Sequence, residues 1–350
     1  MSRKLMSLML ITAVVLMLLA GCGSSASQPQ QNSDSASEAK TEKKETQHLT
    51  MPAVPSSSGL FPYCVAIGKV ISTYLPEYQI TVAESGGNVD NTYQIRSGEV
   101  KIANSISNTD YENYYGTGEF EGEPFQDFRI LWYYESSPIQ ICVARDSGIE
   151  TIWDLEGKPF HPGGIGTAAS VVTHAALDAL GIQPKYFEAG QADAADAYAD
   201  RQIVGTVKTG PCPDSYVMQL NTARPINVLN ISKEDMEVIL KAIPSIKSAV
   251  VPAGTYEGVD YDALSMSTYQ GIQVTKDIPQ EDGYRMWKAM WEDGKEIWQA
   301  AYPVGANNDV PKLTLEAAST PLHAGTVQYL KELGYEVPPE LIPPEYVEVK

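Results

Sequence analysis

Positive charge is scarce in this 350-residue chain: 25 Lys and Arg stand against 44 Asp and Glu, a formal net charge of −19. Nucleic acid and anionic membrane surfaces are held by basic patches, so both are excluded as partners. Long-range steering of anions is also removed, and any anionic ligand has to be caught by donors within ~8 Å. Cysteine is nearly absent, and Cys22, Cys64, Cys142 and Cys212 show no zinc-type spacing. For Cys64, Cys142 and Cys212, one disulfide with a thiol left over and three free thiols are both open. The histidines, His48, His161, His174 and His323, include no pair at i, i+4, and there is no G-x-S-x-G elbow. Gly164-Ile165-Gly166-Thr167-Ala168-Ala169 fits a dinucleotide fingerprint, but Lys158-Pro159-Phe160-His161-Pro162 before it makes a poor central strand. No lysine follows these glycines as a Walker motif needs. The chain therefore offers no metal site, no cofactor site and no catalytic group, and reads as a non-enzyme.

What is present is globular in texture, with 43% apolar and 20% charged residues and length for one large or two ordinary domains. Residues 1–21 differ. Ser2-Arg3-Lys4 precedes an apolar run from Leu5 to Leu19 that is too short for a stable span. It ends Leu19-Ala20-Gly21-Cys22, which resembles the lipobox of bacterial lipoproteins. That resemblance implies cleavage before Cys22, a lipid on Cys22, and an extracytoplasmic protein anchored to the bacterial cell membrane through that lipid alone. Loss of Arg3 and Lys4 takes the charge from −19 to −21. Residues 22–48, rich in Ser, Gln, Glu, Lys and Ala without an aromatic, read as a lipidated, disordered tether.

From about Thr50, strands and helices alternate. Leu49–Val54 reads as a strand, Leu60–Leu75 as a helix with Ile67, Val70, Ile71 and Tyr74 on one face, and Ile80–Ala83 as a strand. A helix ending at Ser97-Gly98 and a strand over Lys101–Ile106 follow. Phe128–Tyr134 and Ile139–Ala144 read as two strands around Glu135-Ser136-Ser137-Pro138. A further helix runs to Leu180, with Gly181 as its stop. Ile203–Lys208 reads as a strand that turns at Thr209-Gly210-Pro211 into another helix. Tyr284–Ala301 reads as one helix with Trp287, Met290, Trp291 and Trp298 facing a core. Such alternation implies an α/β protein with mostly parallel sheets.

Three turns share one design: Ser56-Ser57-Ser58-Gly59, Gly86-Gly87-Asn88 and Gly163-Gly164-Ile165-Gly166-Thr167. Each joins glycine to a small polar side chain before a helix, with Asn88 as the expected N-cap of its helix. Any one serves equally as an ordinary cap. Together, their helix N-termini would offer backbone N–H groups and partial positive charge, enough to hold a carboxylate without an arginine. Trp132-Tyr133-Tyr134-Glu135 at a strand end fits either a cleft wall or a core.

In order and spacing these motifs resemble the TAXI family, the substrate-binding subunits of one class of TRAP transporters. The likeness rests on Ser57-Ser58-Gly59 with Phe61-Pro62-Tyr63, on Glu84-Ser85-Gly86-Gly87-Asn88-Val89-Asp90-Asn91, and on Ser147-Gly148-Ile149 with Trp153-Asp154-Leu155-Glu156-Gly157-Lys158. The third glycine turn, Val251-Pro252-Ala253-Gly254-Thr255-Tyr256 and Pro321-Leu322-His323-Ala324-Gly325 extend it from about Leu49 to Tyr335. The resemblance implies a two-lobed, type II periplasmic-binding-protein fold, each lobe a mostly parallel sheet flanked by helices, with a ligand cleft between lobes. Residues 49–138 with 253–350 would form lobe one, and 139–252 lobe two. It implies a monomeric receptor that passes a small organic anion (a carboxylate, amino acid or dicarboxylate) to a sodium-coupled TRAP permease. Service to a sensor kinase, or an exported enzyme on the same fold, are the alternatives. The ligand-binding residues would be Ser57, Ser58, Gly59, Tyr63, Glu84, Gly87, Asn88, Asn108 and Tyr134 from lobe one. Gly164, Gly166, Thr167, Ala168 and Gly210 would join them from lobe two. Tyr63 and Tyr134 would be walls. Asn88, Asn108 and Ile165 depart from the family pattern, and Glu84 and Glu135 would favour an amine if they face the cleft.

Overall fold

The computed structural model describes residues 45–349 apart from Ser57, Gly166 and the side chain of Ala168. The expected leader, Cys22 and all but the end of the tether lie outside the described residues. In chain order the first elements are β1 (Gln47–Pro52), α1 (Phe61–Tyr74), β2 (Tyr78–Ala83), α2 (Asn88–Ser97), β3 (Ile102–Ile106), α3 (Ser107–Tyr115) and β4 (Phe128–Ala144). Then come β5 (Pro159–His161), α4 (Ala168–Leu180), β6 (Lys185–Tyr186), α5 (Gln191–Ala199), β7 (Gly205–Thr209), α6 (Ser215–Ala223), β8 (Ile226–Val228), α7 (Lys233–Ala242) and β9 (Lys247–Val251). β10 (Ala263–Thr275), α8 (Gln280–Lys288), α9 (Lys295–Ala301), α10 (Val310–Ala317) and α11 (Ala324–Glu332) complete the series. β1 thus begins at Gln47, inside what the sequence assigned to the tether.

Local choices follow the residues. α2 and α4 stop at Gly98 and Gly181, both left-handed with φ of 74° and 75°, as glycine after a helix allows. α1 turns Ile67, Val70 and Ile71 inward, while Tyr74 stays exposed and bonds Asp293 O at 2.7 Å. Trp287, Met290 and Trp298 are buried as expected, but the helix that carries them is not continuous. Ala289–Asp293 forms a wider π turn that ends at Gly294, where a β-carbon would lie 2.5 Å from Val70.

β1 and β2 pair in parallel, and the larger sheet runs β3-β10-β4-β7-β5-β6, with β8 on β4 and β9 on β10. The sheet is mixed. β5 pairs in parallel with β6 and β7, whereas β4 and β10 are antiparallel to each other and to every other neighbour. The two expected strands around Glu135-Ser136-Ser137-Pro138 are one strand of 17 residues. That stretch stays extended because Glu135 to Pro138 pair in register with Gln270 to Ser267.

Two lobes follow from the packing. One core takes residues such as Met51, Ile71, Trp132, Trp287 and Leu330. The other is built from Ile139, Leu177, Val207 and Met266, continued by Cys142, Tyr198, Val251, Tyr256 and Ala263. β4 and β10 thread both. Because Val251, Tyr256, Val259 and Ala263 pack in lobe two, the return crossing lies in β10 rather than at 252–253. Pro159–His161 is, against expectation, a strand inside the sheet; Pro159 takes its first position, where the missing N–H costs least. Among the described residues no helix is long and apolar enough to cross a membrane.

Candidate functional site

The first two glycine turns meet side by side on lobe one, and most of their donors are occupied. Ser56 N–H donates to Glu84 Oε1 at 2.6 Å, and the Ser56 hydroxyl and N–H hold the Glu84 carboxyl below its usual range. Gly86 N–H donates to Asp90 Oδ2 at 3.1 Å, and Gly87 N–H to Ser85 Oγ at 3.2 Å. The cap of α2 is Gly87, at a φ of 118° that glycine tolerates, so Asn88 is the first helical residue and not the expected cap. Ser58 N–H bonds Pro55 O at 2.8 Å, and Ser58 Oγ accepts from Leu60 N–H at 3.3 Å. Gly59 sits in open space. Glu84 is exposed and engaged with Ser56, so it does not stand in a cleft as a free carboxylate.

The third turn is built the same way. Gly163, at φ 120°, has Ala169 and Ser170 within 2.8 Å of where a β-carbon would be. Thr167 caps α4: its hydroxyl donates to Gly164 O at 2.7 Å and accepts from Ser170 N–H at 3.3 Å. Gly210 lies at the base of lobe two, its N–H on Pro138 O at 3.4 Å and its carbonyl accepting from Gln140 Nε2 at 3.4 Å. His161 bonds not its own turn but Thr206 Oγ1 at 2.6 Å and Ala189 O at 3.2 Å.

Tyr63 and Tyr134 are not walls of a cleft. Both are buried, their rings stacked with centroids 3.7 Å apart in the lobe-one core. Tyr63 Oη accepts from Trp132 Nε1 at 2.9 Å, and Tyr134 Oη donates to Asn104 Oδ1 at 2.8 Å. Tyr302 packs edge-on against both rings and Trp298 against Tyr63, so the pair is enclosed by other aromatics. Glu135 is buried too, accepting from Tyr302 Oη at 2.9 Å and Asn308 Nδ2 at 3.1 Å, and burial pushes its carboxyl up to about 7. Cys64 and Cys142 are buried free thiols, and Cys212 is a half-buried one.

A cavity of about 430 Å³ brings three of the expected residues together: Asn88 and Asn108 from lobe one with Thr167 from lobe two. This lies within the ~300–1,000 Å³ usual for small-molecule sites. Hollows of about 560 and 590 Å³ elsewhere are each lined from lobe one alone. Lobe one adds Val89, Ile106, Thr109, Glu112, Gly118 and Glu119 to the cavity, and lobe two adds Val171, Val172, Ala175, Ile243 and Ser245. The sequence reading missed these, although helical spacing points to several. Glu112 is one turn on from Asn108, and Val171 and Ala175 are one and two turns on from Thr167. Ser58, Gly59, Tyr63, Glu84, Gly87, Tyr134, Gly164 and Gly210 do not line it. Ser57 and Gly166 lie outside the described residues.

Asn88 reaches the cavity with its amide already engaged. Its Oδ1 accepts from Asn104 Nδ2 at 2.8 Å, and its Nδ2 faces Gln270 Oε1 at 3.4 Å, leaving one amide hydrogen over. Asn108 is less committed: its Oδ1 is buried without a hydrogen-bond partner. Among the described residues, the only ionisable side chains on the lining are Glu112 and Glu119, with no Lys, Arg or His. Burial raises the Glu112 carboxyl above its usual range; the Glu119 charge adds to this, and bonds from Glu119 N–H and Asn108 oppose it. The seat is made by Gly118, where a β-carbon would stand 2.6 Å from Glu112 Oε2. An organic anion, as expected from the sequence, therefore meets no side chain of opposite charge here.

Residues 52–334 match the NMT1-like family. Among solved structures, a TctC solute binding protein from Polaromonas is similar at 16% identity and TM-score 0.49, over 74% of this chain and 88% of that one. The periplasmic aliphatic sulphonate binding protein SsuA from Escherichia coli gives 12% and 0.46, over 83% and 91%. A probable amino-acid ABC transporter extracellular-binding protein from Bacillus subtilis, ytmK, gives 13% and 0.45, over 76% and 100%.

Proposed function

Since the chain belongs to the NMT1-like family, we propose that it is an extracytoplasmic receptor that closes two lobes on a small organic solute and delivers it to a membrane permease. The observation that carries this reading is the cavity of about 430 Å³ lined from both lobes, which β4 and β10 connect. A solute seated there touches both jaws, so its binding energy favours the closed form. The order of glycine turns that resembles the TAXI family supports a TRAP-type, sodium-coupled permease as the partner. The Leu19-Ala20-Gly21-Cys22 sequence supports lipid anchoring at Cys22. The reading requires no catalysis.

A bulky side chain in the cavity tests the site. Val171 stands 65% exposed on α4 and faces the cavity. Solute at 100 times its Kd should add about 2.7 kcal/mol of stability to the native protein, and Val171→Trp should remove that shift. A solute-induced shift untouched by Val171→Trp contradicts the site. Uptake in vesicles that needs this protein and a sodium gradient supports the partner class, and uptake driven by ATP alone contradicts it.

A further inference from the structure

We propose that the cavity, taken as the receptor site above, selects a small organic cation, its ammonium head between Glu112 and Glu119 and its apolar body against lobe two. The two jaws differ in chemistry. Lobe one presents both carboxylates, Glu112 and Glu119, as acceptors for an ammonium. Lobe two presents Val171, Val172, Ala175 and Ile243, a surface for hydrocarbon.

The charge on lobe one is not answered within the protein. Glu112 receives only Glu119 N–H and the Asn108 amide, and Glu119 only a long bond of 3.4 Å from Tyr93 Oη. Arg96, the cation of α2, turns to Asn113 and Glu123, with Nη1 2.7 Å from Asn113 Oδ1. Lys247 follows the lining residue Ser245 by two positions but is not on the lining. Donors that would suit a carboxylate on the Gly86-Gly87 turn are already engaged by Ser85 and Asp90. A cation thus gains two charge-assisted partners, whereas an anion meets two like charges in a partly desolvated space.

Calorimetric titration of the full-length protein with shape-matched solutes tests this: 4-methylpentylamine, leucine and 4-methylpentanoate, then a wider panel of primary, secondary and quaternary amines. An amine should bind at least as tightly as its amino acid, and the carboxylate should not bind. Glu112→Gln and Glu119→Gln should each weaken the amine about 10- to 100-fold. Glu119 is exposed, so its variant should fold even if the half-buried Glu112 variant does not. Carboxylate binding that Val171→Trp abolishes overturns the cation and leaves the receptor reading standing. Binding indifferent to Val171→Trp overturns both. An amino acid held more than tenfold tighter than its amine, no binding by any amine of the panel, or full affinity in Glu119→Gln also overturns the inference.

Discussion

The glycine turn from Glu84 to Asn91 and the stretch from Asn108 to Glu119 flank the same cavity, yet they handle polar groups in opposite ways. In the first, the polar groups of the turn itself are used within the protein, Ser56 on Glu84, Asp90 on Gly86, Ser85 on Gly87 and Asn104 on Asn88, and only Asn91 Oδ1, behind the turn, is left without a partner. In the second, two carboxylates, Glu112 and Glu119, share a space whose lining holds no cation. A motif conspicuous in sequence is thus a satisfied scaffold, and the less conspicuous stretch holds unspent bonding capacity. Carboxylates are normally paired or solvated, so two that share a cavity without a cation leave bonding capacity for a ligand.

α3 carries a third acid on its core face, and that acid should give the largest response. Asp110 is buried, with Tyr133 Oη 2.7 Å and Ser105 Oγ 3.0 Å from its Oδ2, and burial pushes its carboxyl up to about 7 from an ordinary 3.8. The folded form therefore keeps a proton that the unfolded chain has released. Stability should be greatest below pH 4 on this account and fall as pH rises towards 7. Thermal melts across that range check it, and Asp110→Asn should flatten the slope.

Next in size is the scaffold. Asn104→Ala strips the partners of Asn88 Oδ1 and Tyr134 Oη and should cost about 2–4 kcal/mol by urea denaturation. Gly87→Ala, at φ 118° with nothing within 4 Å, should cost about 1–3 kcal/mol from backbone strain alone, with solute affinity little changed in the folded fraction. The smallest stability effect belongs to the open face. Asn108→Ala removes only the amide bond to the half-buried Glu112 and should cost about 0.5–1.5 kcal/mol while weakening solute binding several-fold. An Asn108 variant that melts early yet binds normally would reverse the contrast.

The alternation of elements was legible because helix and strand periods differ and glycine marks helix ends, as Gly98 and Gly181 do. The two crossings were less so. Glu135-Ser136-Ser137-Pro138 has the composition of a turn, and only pairing with β10, distant in sequence, keeps it extended. Asn88, Asn108 and Thr167 were found because caps and turns at helix starts are local signals. Glu112 and Glu119 were not, since two acids among 44 carry no local mark. Their meaning arises only when α4 of the other lobe closes the space over them. Tyr63 and Tyr134 were misplaced for the converse reason: an aromatic looks alike in a core and in a cleft until its stacking partner is known.

Proton exchange on binding tests the role of Glu112 and Glu119 most directly. Burial raises the Glu112 carboxyl above its usual range, and an adjacent ammonium favours its charged form. Titration of an amine by calorimetry in two buffers of different ionisation enthalpy, at mildly acidic pH, should therefore record net proton release that Glu112→Gln removes. Proton uptake on binding, or release that persists in Glu112→Gln, would contradict it.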